Sequence, residues 1–352
     1  MQSTSLSEII SAIRPVDPDR LRAAQDHLDN LTKPRGSLGM LEEIAARMAA
    51  LSREVRPAVR AARIFVFVGD HGVVEEGVSA YPPEVTTLMV HNFLAGGAAI
   101  NVLARRAGAE VRVVDVGMRD RVDVPALINR NVRRGAGNIA RRPAMSVEEA
   151  MQALMAGAEM AMQADSEGST LIGLGEMGIG NTTPSAALYA ALLPCAPREI
   201  VGKGTGLDAA GVARKIETVA TVLAVNQERL TDPLSTLAAV GGLEIAAIAG
   251  CCLGAAACGL PVVVDGFISG AGALAAMRMA PAVRDYLFFS HVSAEAGHKL
   301  YFNREGLRPM LDLDMRLGEG TGAAIGMQII TDAVAIYNEM ATFADVGIEP
   351  GA

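Results

Sequence analysis

Tryptophan is missing from this 352-residue chain, and aromatic residues together make up only 4% of it. So few flat rings leave little on which bases can stack, and a net charge of −8 offers no positive field to a phosphate backbone. No nucleic-acid partner is expected. Cysteine is scarce as well. Cys195, Cys251, Cys252 and Cys258 follow neither a disulfide framework nor a zinc spacing, and read as small buried hydrophobes in a reducing compartment. His291 and His298 are seven apart, and neither H-x-x-x-H nor H-E-x-x-H occurs, so no metal centre is expected. The opening MQSTSLSEIISAIRPVD has no apolar signal-peptide core, which leads us to expect a cytoplasmic protein. One window, Ile245 to Val264, runs without a charge for a length that would cross a bilayer. Gly259-Leu260-Pro261 interrupts it, and Glu244 and Asp265 bracket it. It reads as a buried helix followed by a buried strand, with no membrane partner.

What is present is aliphatic. Hydrophobic residues are 51% of the chain, dominated by Ala, Val, Ile, Leu and Met, and glycine is abundant at 37 residues. That composition suits a parallel sheet covered on both faces by helices. The length suits one large or two medium domains. Up to about residue 60 the pattern is helical, with Asp17-Pro18 a helix start and the basic loop KPRGSLG (33–39) leading into a helix from Met40. From Arg63 strands alternate with helices. The expected strands are Ile64 to Val68, Glu110 to Val116, Leu171 to Leu174, Pro261 to Val264 and Tyr286 to Phe289. In such a sheet the ligand crevice lies at the carboxyl ends of the strands, which makes the loops there the place to look.

The most telling of these loops follows Leu171 to Leu174. LIGLGEMGIGNTT (171–183) passes from an apolar run into a loop with Gly175, Gly178 and Gly180, then into a helix start expected at Thr183-Pro184. A strand, a glycine loop and a helix N-terminus form an anion cradle, because free N–H groups and the helix dipole both favour negative charge. The stretch matches neither the dinucleotide fingerprint nor the Walker pattern. Glu176 would repel a phosphate there unless it faces something else, such as sugar hydroxyls. VGKGTG (201–206) is a second loop where backbone can approach a ligand, with Gly202 and Gly204. In the helix after it, Lys215 reads either as a surface lysine or as the cradle's counter-charge.

Other strand ends carry Asp70-His71, equally good as site residues or as turn chemistry, and Asp265. Seven arginines between 119 and 142 read as a solvated excursion from the sheet. The helix Leu243 to Cys258 has Gly250, Gly254 and Cys258 at four-residue spacing, a face narrow enough to pack another helix, including one across a dimer. Finally RLGEGTG (316–322) opens the last long helix. Glu319 lies between glycines, unshielded from a ligand, either as a solvated loop residue or as a carboxylate tuned for general-base work.

Taken together, KPRGSLG, GDHGV with EGVSAYP, GEMGIGNTT, GKGTG, VVDGFISGAG, SHVSAEAGH and LDLDMRLGEGTGAA resemble the nicotinate mononucleotide:5,6-dimethylbenzimidazole phosphoribosyltransferases, in one order over nearly the whole chain. The resemblance implies an α/β fold, a Rossmann-like parallel sheet flanked by helices. It also implies a smaller helical domain built from residues 1–60 and 305–352 beside a large domain of 61–304, and a homodimer. It implies that Glu319 is the base that deprotonates the benzimidazole and that Glu176 lies near the ribose. The phosphate cradle would comprise Gly178, Ile179, Gly180, Asn181 and Thr182, supported by Gly202, Gly204 and Lys215. The base pocket would be lined by Tyr81, Pro82, Met89, Met177 and Leu317, with Asp265 and Ser293 on the nicotinate side. The substrates would be nicotinate mononucleotide and a benzimidazole-type base, without cofactor or metal. The residues agree on the last point: Asp70, Asp115 and Asp265 are single strand-end acids, not the acidic pair that manages Mg²⁺ and pyrophosphate. A nucleosidase or a non-catalytic nucleotide-binding protein on the same scaffold are the alternatives.

Overall fold

The computed structural model describes residues 5–347. Six parallel strands form one sheet: β1 (Arg63–Gly69), β2 (Glu110–Gly117), β3 (Ile128–Asn129), β4 (Ile172–Met177), β5 (Val262–Val264) and β6 (Leu287–Phe289). Their spatial order is β3-β2-β1-β4-β5-β6. The chain first winds outward from β1, then returns to β4 on the other side, so the crevice between the carboxyl ends of β1 and β4 is the switch point where ligands bind in such sheets. Every residue of β1 is buried, as expected of a central strand covered on both faces.

Five of the six strands coincide with the sequence expectation. The sixth, β3, is two residues long and lies inside the arginine-rich excursion, paired with Val114 and Asp115 of β2. The excursion is otherwise irregular, and Arg133 and Arg141 pair with Glu149 and Glu76 at its edge. Strand β4 also runs further than expected, so Glu176 and Met177 are strand residues and the loop begins only at Gly178.

The charge-free window resolves as anticipated, into the helix Leu243–Ala257 and strand β5. A second stretch, Val85–Arg106, is long and apolar enough to cross a membrane. It is two helices, Val85–Leu94 and Ala99–Arg106, that turn at Gly96 with φ +78°.

The glycine face of Leu243–Ala257 is used within the chain, not across a dimer. It packs on the helix Val147–Ser166, backbone against backbone. A Cβ on Gly250 would overlap the carbonyl of Leu154, and one on Gly157 would overlap that of Ala247. Glycine is there for close approach.

The helices Leu6–Ala12, Pro18–Asp29 and Met40–Leu51 form a separate layer near the start of the chain. Asp17 caps the second of these with its side chain on the Asp19 N–H, and Pro18 opens it. The third starts at Gly39, with no capping contribution from Ser37. The two chain ends meet here: Thr32 N–H donates to the Ala341 carbonyl at 3.0 Å, Phe343 N–H to the Asn30 carbonyl at 2.9 Å, and His27 Nε2 lies 2.8 Å from the Tyr337 carbonyl. The helix Thr321–Glu339 contacts both this layer and strands β4 and β5. We propose that the small helical unit comprises the N-terminal layer and the distal half of that helix. The outer limits expected for it, 1–4 and 348–352, lie outside the described residues.

Replacing Gly250 with valine is predicted to force these two helices apart and to cost about 1–3 kcal/mol of stability. A lowered urea midpoint would be the sign, and an unchanged midpoint would contradict the close packing.

Candidate active site

Beside the switch point lies a cavity of about 520 Å³, whose wall includes Glu176, Met177, Gly178, Ile179, Asn181, Thr182, Gly204, Ser293 and Glu319. It is built from the carboxyl ends of β4, β5 and β6 and from the loop ahead of Thr321–Glu339. Its two ends differ in chemistry.

One end is cationic. The helix Thr182–Leu192 starts with Asn181 as its N-cap, two residues before the start expected from Pro184. No side chain caps it; the Thr183 N–H donates to the Gly180 carbonyl at 3.1 Å and Pro184 has none to give, which leaves the Thr182 amide for a ligand. Lys215 is fully buried, and its Nζ donates to Thr182 Oγ1 at 2.6 Å. Gly204 closes over the same spot; its Cβ would stand 2.8 Å from Thr182 Oγ1 and 2.9 Å from Lys215 Nζ. Burial pulls the ammonium down to about 8, although nearby Glu295 opposes the fall. Arg316 reaches over the rim to the Gly204 carbonyl at 3.3 Å. An anion entering here meets the Thr182 amide at a helix N-terminus, a hydroxyl and an ammonium. The Ile179 N–H is not among them, since it donates to Thr86 Oγ1 at 3.1 Å and fixes the turn.

The other end is acidic. Glu176 is buried, hydrogen-bonded to the Asn181 side-chain amide, and raised to about 8 by burial and by Asp265 and Glu244 nearby. Glu319 is also buried, at 6% exposure, and burial raises it too. The Ile100 N–H, at the start of Ala99–Arg106, approaches its Oε2 at 3.4 Å and partly offsets that shift. The helix N-terminus that steadies Glu319 is therefore not the one its own loop opens.

The loop holding Glu319 is strained. Gly318, Glu319 and Gly320 all have positive φ, at +84°, +64° and +90°. For a glutamate that conformation costs on the order of 1–3 kcal/mol. Asp265 supplies the restraint: its Oδ2 accepts from the Gly320 N–H at 3.0 Å, and its Oδ1 from Gly322 at 2.7 Å and Ala323 at 3.2 Å. Gly175 lets the loop lie directly on β4, since a Cβ there would stand 2.5 Å from the Glu319 carbonyl oxygen.

Several expected site residues take other places. Asp265 does not line the cavity; burial raises its carboxyl to about 7, and its oxygens are occupied by the loop amides. Pro82 is exposed and outside the wall, whereas Tyr81, Met89, Met177 and Leu317 line it. Gly180, Gly202 and Lys215 stand behind the lining, Gly180 against Val74, Gly202 against Glu295 and Lys215 against Thr182. Asp70 and His71 are turn chemistry: Asp70 accepts from the Arg119 N–H, and His71 pairs with Glu244 at 2.7 Å beneath Gly178. Burial pulls that histidine down, but the charges of Glu244 and Asp70 outweigh it and leave it raised. His291, which burial lowers to about 4, is a neutral wall residue.

Wall residues that escaped the sequence reading include Glu295, Arg316 and Phe267. Glu295 stands two residues beyond Ser293 in the same strand-end loop. A search of the loop that follows β6 would have reached it, whereas Ser293 came from the family resemblance alone.

An anion cradle and a carboxylate cluster facing one cavity at a Rossmann switch point define a protein that holds a sugar phosphate and works on its far end. The chain belongs to the phosphoribosyltransferase family whose model matches residues 13–348. It is 56% identical over 340 residues to the nicotinate-nucleotide–dimethylbenzimidazole phosphoribosyltransferase of Chlorobium chlorochromatii, covering 96% of each chain. The enzyme of the same name from Geobacter sulfurreducens is 54% identical over 349 residues, 99% of each. The crystal structure of CobT from Thermus thermophilus superposes with a TM-score of 0.90 at 49% identity, over 95% of this chain and 100% of that one.

Substituting Asp265 by asparagine is predicted to loosen the Glu319 loop without removing any group from the cavity wall. Amide exchange at Gly320, Gly322 and Ala323 should quicken, and turnover should fall about tenfold or more, the worth of one charge-assisted hydrogen bond. Full turnover with unchanged exchange would show that the tether is not needed.

Proposed function

We propose that this chain transfers the phosphoribosyl group of nicotinate mononucleotide to 5,6-dimethylbenzimidazole, giving α-ribazole 5′-phosphate and nicotinate, for the lower ligand of cobalamin. The observation that carries this reading is the position of Glu319. Glu319 lies in the wall of the same cavity as Thr182 and Gly204, and Lys215 backs that wall through its bond to Thr182 Oγ1.

In this reading the phosphate sits at the cationic end, which directs the ribose toward Glu176 and Glu319. One benzimidazole nitrogen forms a bond to C1′ while the bond from C1′ to the nicotinate ring nitrogen breaks. The bonding electron pair leaves with nicotinate, neutralising its pyridinium charge. Attack from the face opposite the leaving group turns a β-nucleotide into an α-nucleotide. Glu319 takes the proton from the second benzimidazole nitrogen, and its raised pKa makes it a better proton acceptor than an exposed glutamate. Positive charge develops on the sugar along this path, as in glycosyl transfer generally. Glu176 holds a proton in the empty site at neutral pH, and a cation beside it favours its ionised form. Ser293 is proposed to face nicotinate, while Tyr81, Val85, Met89, Met177 and Leu317 supply the apolar wall for the acceptor base.

The assay supplies both substrates without added metal and separates the products by chromatography. Glu319→Gln should bind both substrates and lose about 10²–10⁴-fold in turnover. The wild-type rate should fall as pH drops through the raised Glu319 value, because only the carboxylate accepts the proton, and the residual rate of the variant should lose that acid limb. Wild-type turnover in Glu319→Gln would remove the assigned base. Nicotinate release without any acceptor would make the chain a hydrolase.

We also propose that the chain works in the cytoplasm as a homodimer. Tyr81, Leu88 and Leu317 are 54–64% exposed on and beside the wall of the cavity, an apolar rim that a second copy would cover. Sedimentation at micromolar concentration should give twice the chain mass, and a monomer would contradict this.

A further inference from the structure

Lys215 is an ammonium buried without a direct counter-ion. It makes one hydrogen bond, to Thr182 Oγ1, and no ion pair among the described residues. The one carboxylate whose charge it feels is Glu295, at 4% exposure, in the wall of the same cavity. Glu295 is held in an equally unusual way. Its backbone N–H donates to Ser293 Oγ at 3.2 Å, yet its side-chain Oε2 is buried with no hydrogen-bond partner. That oxygen fills the space where a side chain on Gly202 would begin. A buried carboxylate oxygen without a donor costs about 1–3 kcal/mol or more. So the protein places an unsatisfied carboxylate against Gly202 and an unpaired ammonium against Gly204 of one short loop.

The other charged and titratable groups do not supply this balance. Glu176 and Glu319 belong to the acidic end, on β4 and the 318–320 loop. His291 and His298 are neutral, lowered by burial to about 4 and about 3. Lys203 is exposed, Arg316 is at the rim, and Arg214 turns away to the Gly77 carbonyl at 3.2 Å. Asp208 and Glu199 cap helices at the protein surface.

We propose that Glu295 is a positioning residue of the phosphate end: it balances the Lys215 ammonium while the cavity is empty and yields it to the phosphate of the incoming mononucleotide. This rests on the reading of Lys215 as a phosphate ligand. The carboxylate then acts in two opposed ways. It keeps Lys215 protonated, which matters at high pH. It also repels the arriving phosphate, which matters at low pH, where Lys215 is charged in any case.

The test is calorimetric binding of nicotinate mononucleotide to the full chain at pH 6.5 and pH 9, with Glu295→Gln, Glu295→Asp and Lys215→Ala beside the wild type. Glu295→Gln should bind as tightly as wild type or a few-fold tighter at pH 6.5. At pH 9 it should bind more weakly than the wild type, by about tenfold for each unit that the Lys215 pKa falls. Glu295→Asp, which keeps the charge, should follow the wild type at both. A ratio of Glu295→Gln to wild type that is the same at both pH values, or Glu295→Asp behaving like Glu295→Gln at pH 9, would overturn the proposal. Lys215→Ala should lose about tenfold or more at pH 6.5. If it binds like the wild type, the phosphate reading of Lys215 fails with the proposal. If it binds weakly while the Glu295→Gln ratio stays constant, the proposal alone fails.

Discussion

Asp265 accepts three backbone amides at the start of the helix Thr321–Glu339, and the geometry of the site depends on those bonds. A buried carboxylate is costly, and burial lifts this one to about 7 even with the three donors in place. The return is positional. The bonds pin Gly320 and the residues after it, so that Glu319 stays in a left-handed conformation that few side chains tolerate. Its carboxylate then meets the N-terminus of a different helix, at Ile100, and faces the cavity. Two helix N-termini and two buried acids thus form one unit, in which the acid outside the cavity wall holds the acid within it.

The cavity is polarised along its length. Glu176 and Glu319 lie in its wall at one end, with Asp265 and Glu244 close enough to raise Glu176. Lys215, Thr182 and the first turn of Thr182–Leu192 lie at the other. In a low-dielectric site such a gradient orients a charged ligand before any hydrogen bond is made.

Much of this was legible in the sequence, because the signals were backbone signals. Glycines at 175, 178, 318 and 320, a helix start near Thr183 and single acids at strand ends mark places where backbone must bend or approach closely. Those places are where the structure builds the site. The residues alone left Lys215 open between a surface lysine and a counter-charge, and the family resemblance supplied the phosphate role. What stayed hidden depended on three-dimensional partners. The two-residue strand β3 forms only because β2 offers it an edge. Glycine spacing cannot say whether the Leu243–Ala257 face meets a helix of its own chain or of another. Asp265 has the sequence context of a ligand residue, and only the amides of a distant loop show that its oxygens are occupied. Glu295 has no motif of its own, and its interest lies in a missing hydrogen-bond partner.

The central claim is that the cavity orients a mononucleotide with its phosphate on Thr182 and Lys215 and its anomeric carbon toward Glu319. A crystal structure of the chain soaked with nicotinate mononucleotide tests this most directly. The account predicts phosphate oxygens within hydrogen-bond distance of Lys215 Nζ and the Thr182 amide, with C1′ on the Glu319 side of the cavity. A phosphate bound at the acidic end, or among the arginines of 119–142, would contradict it.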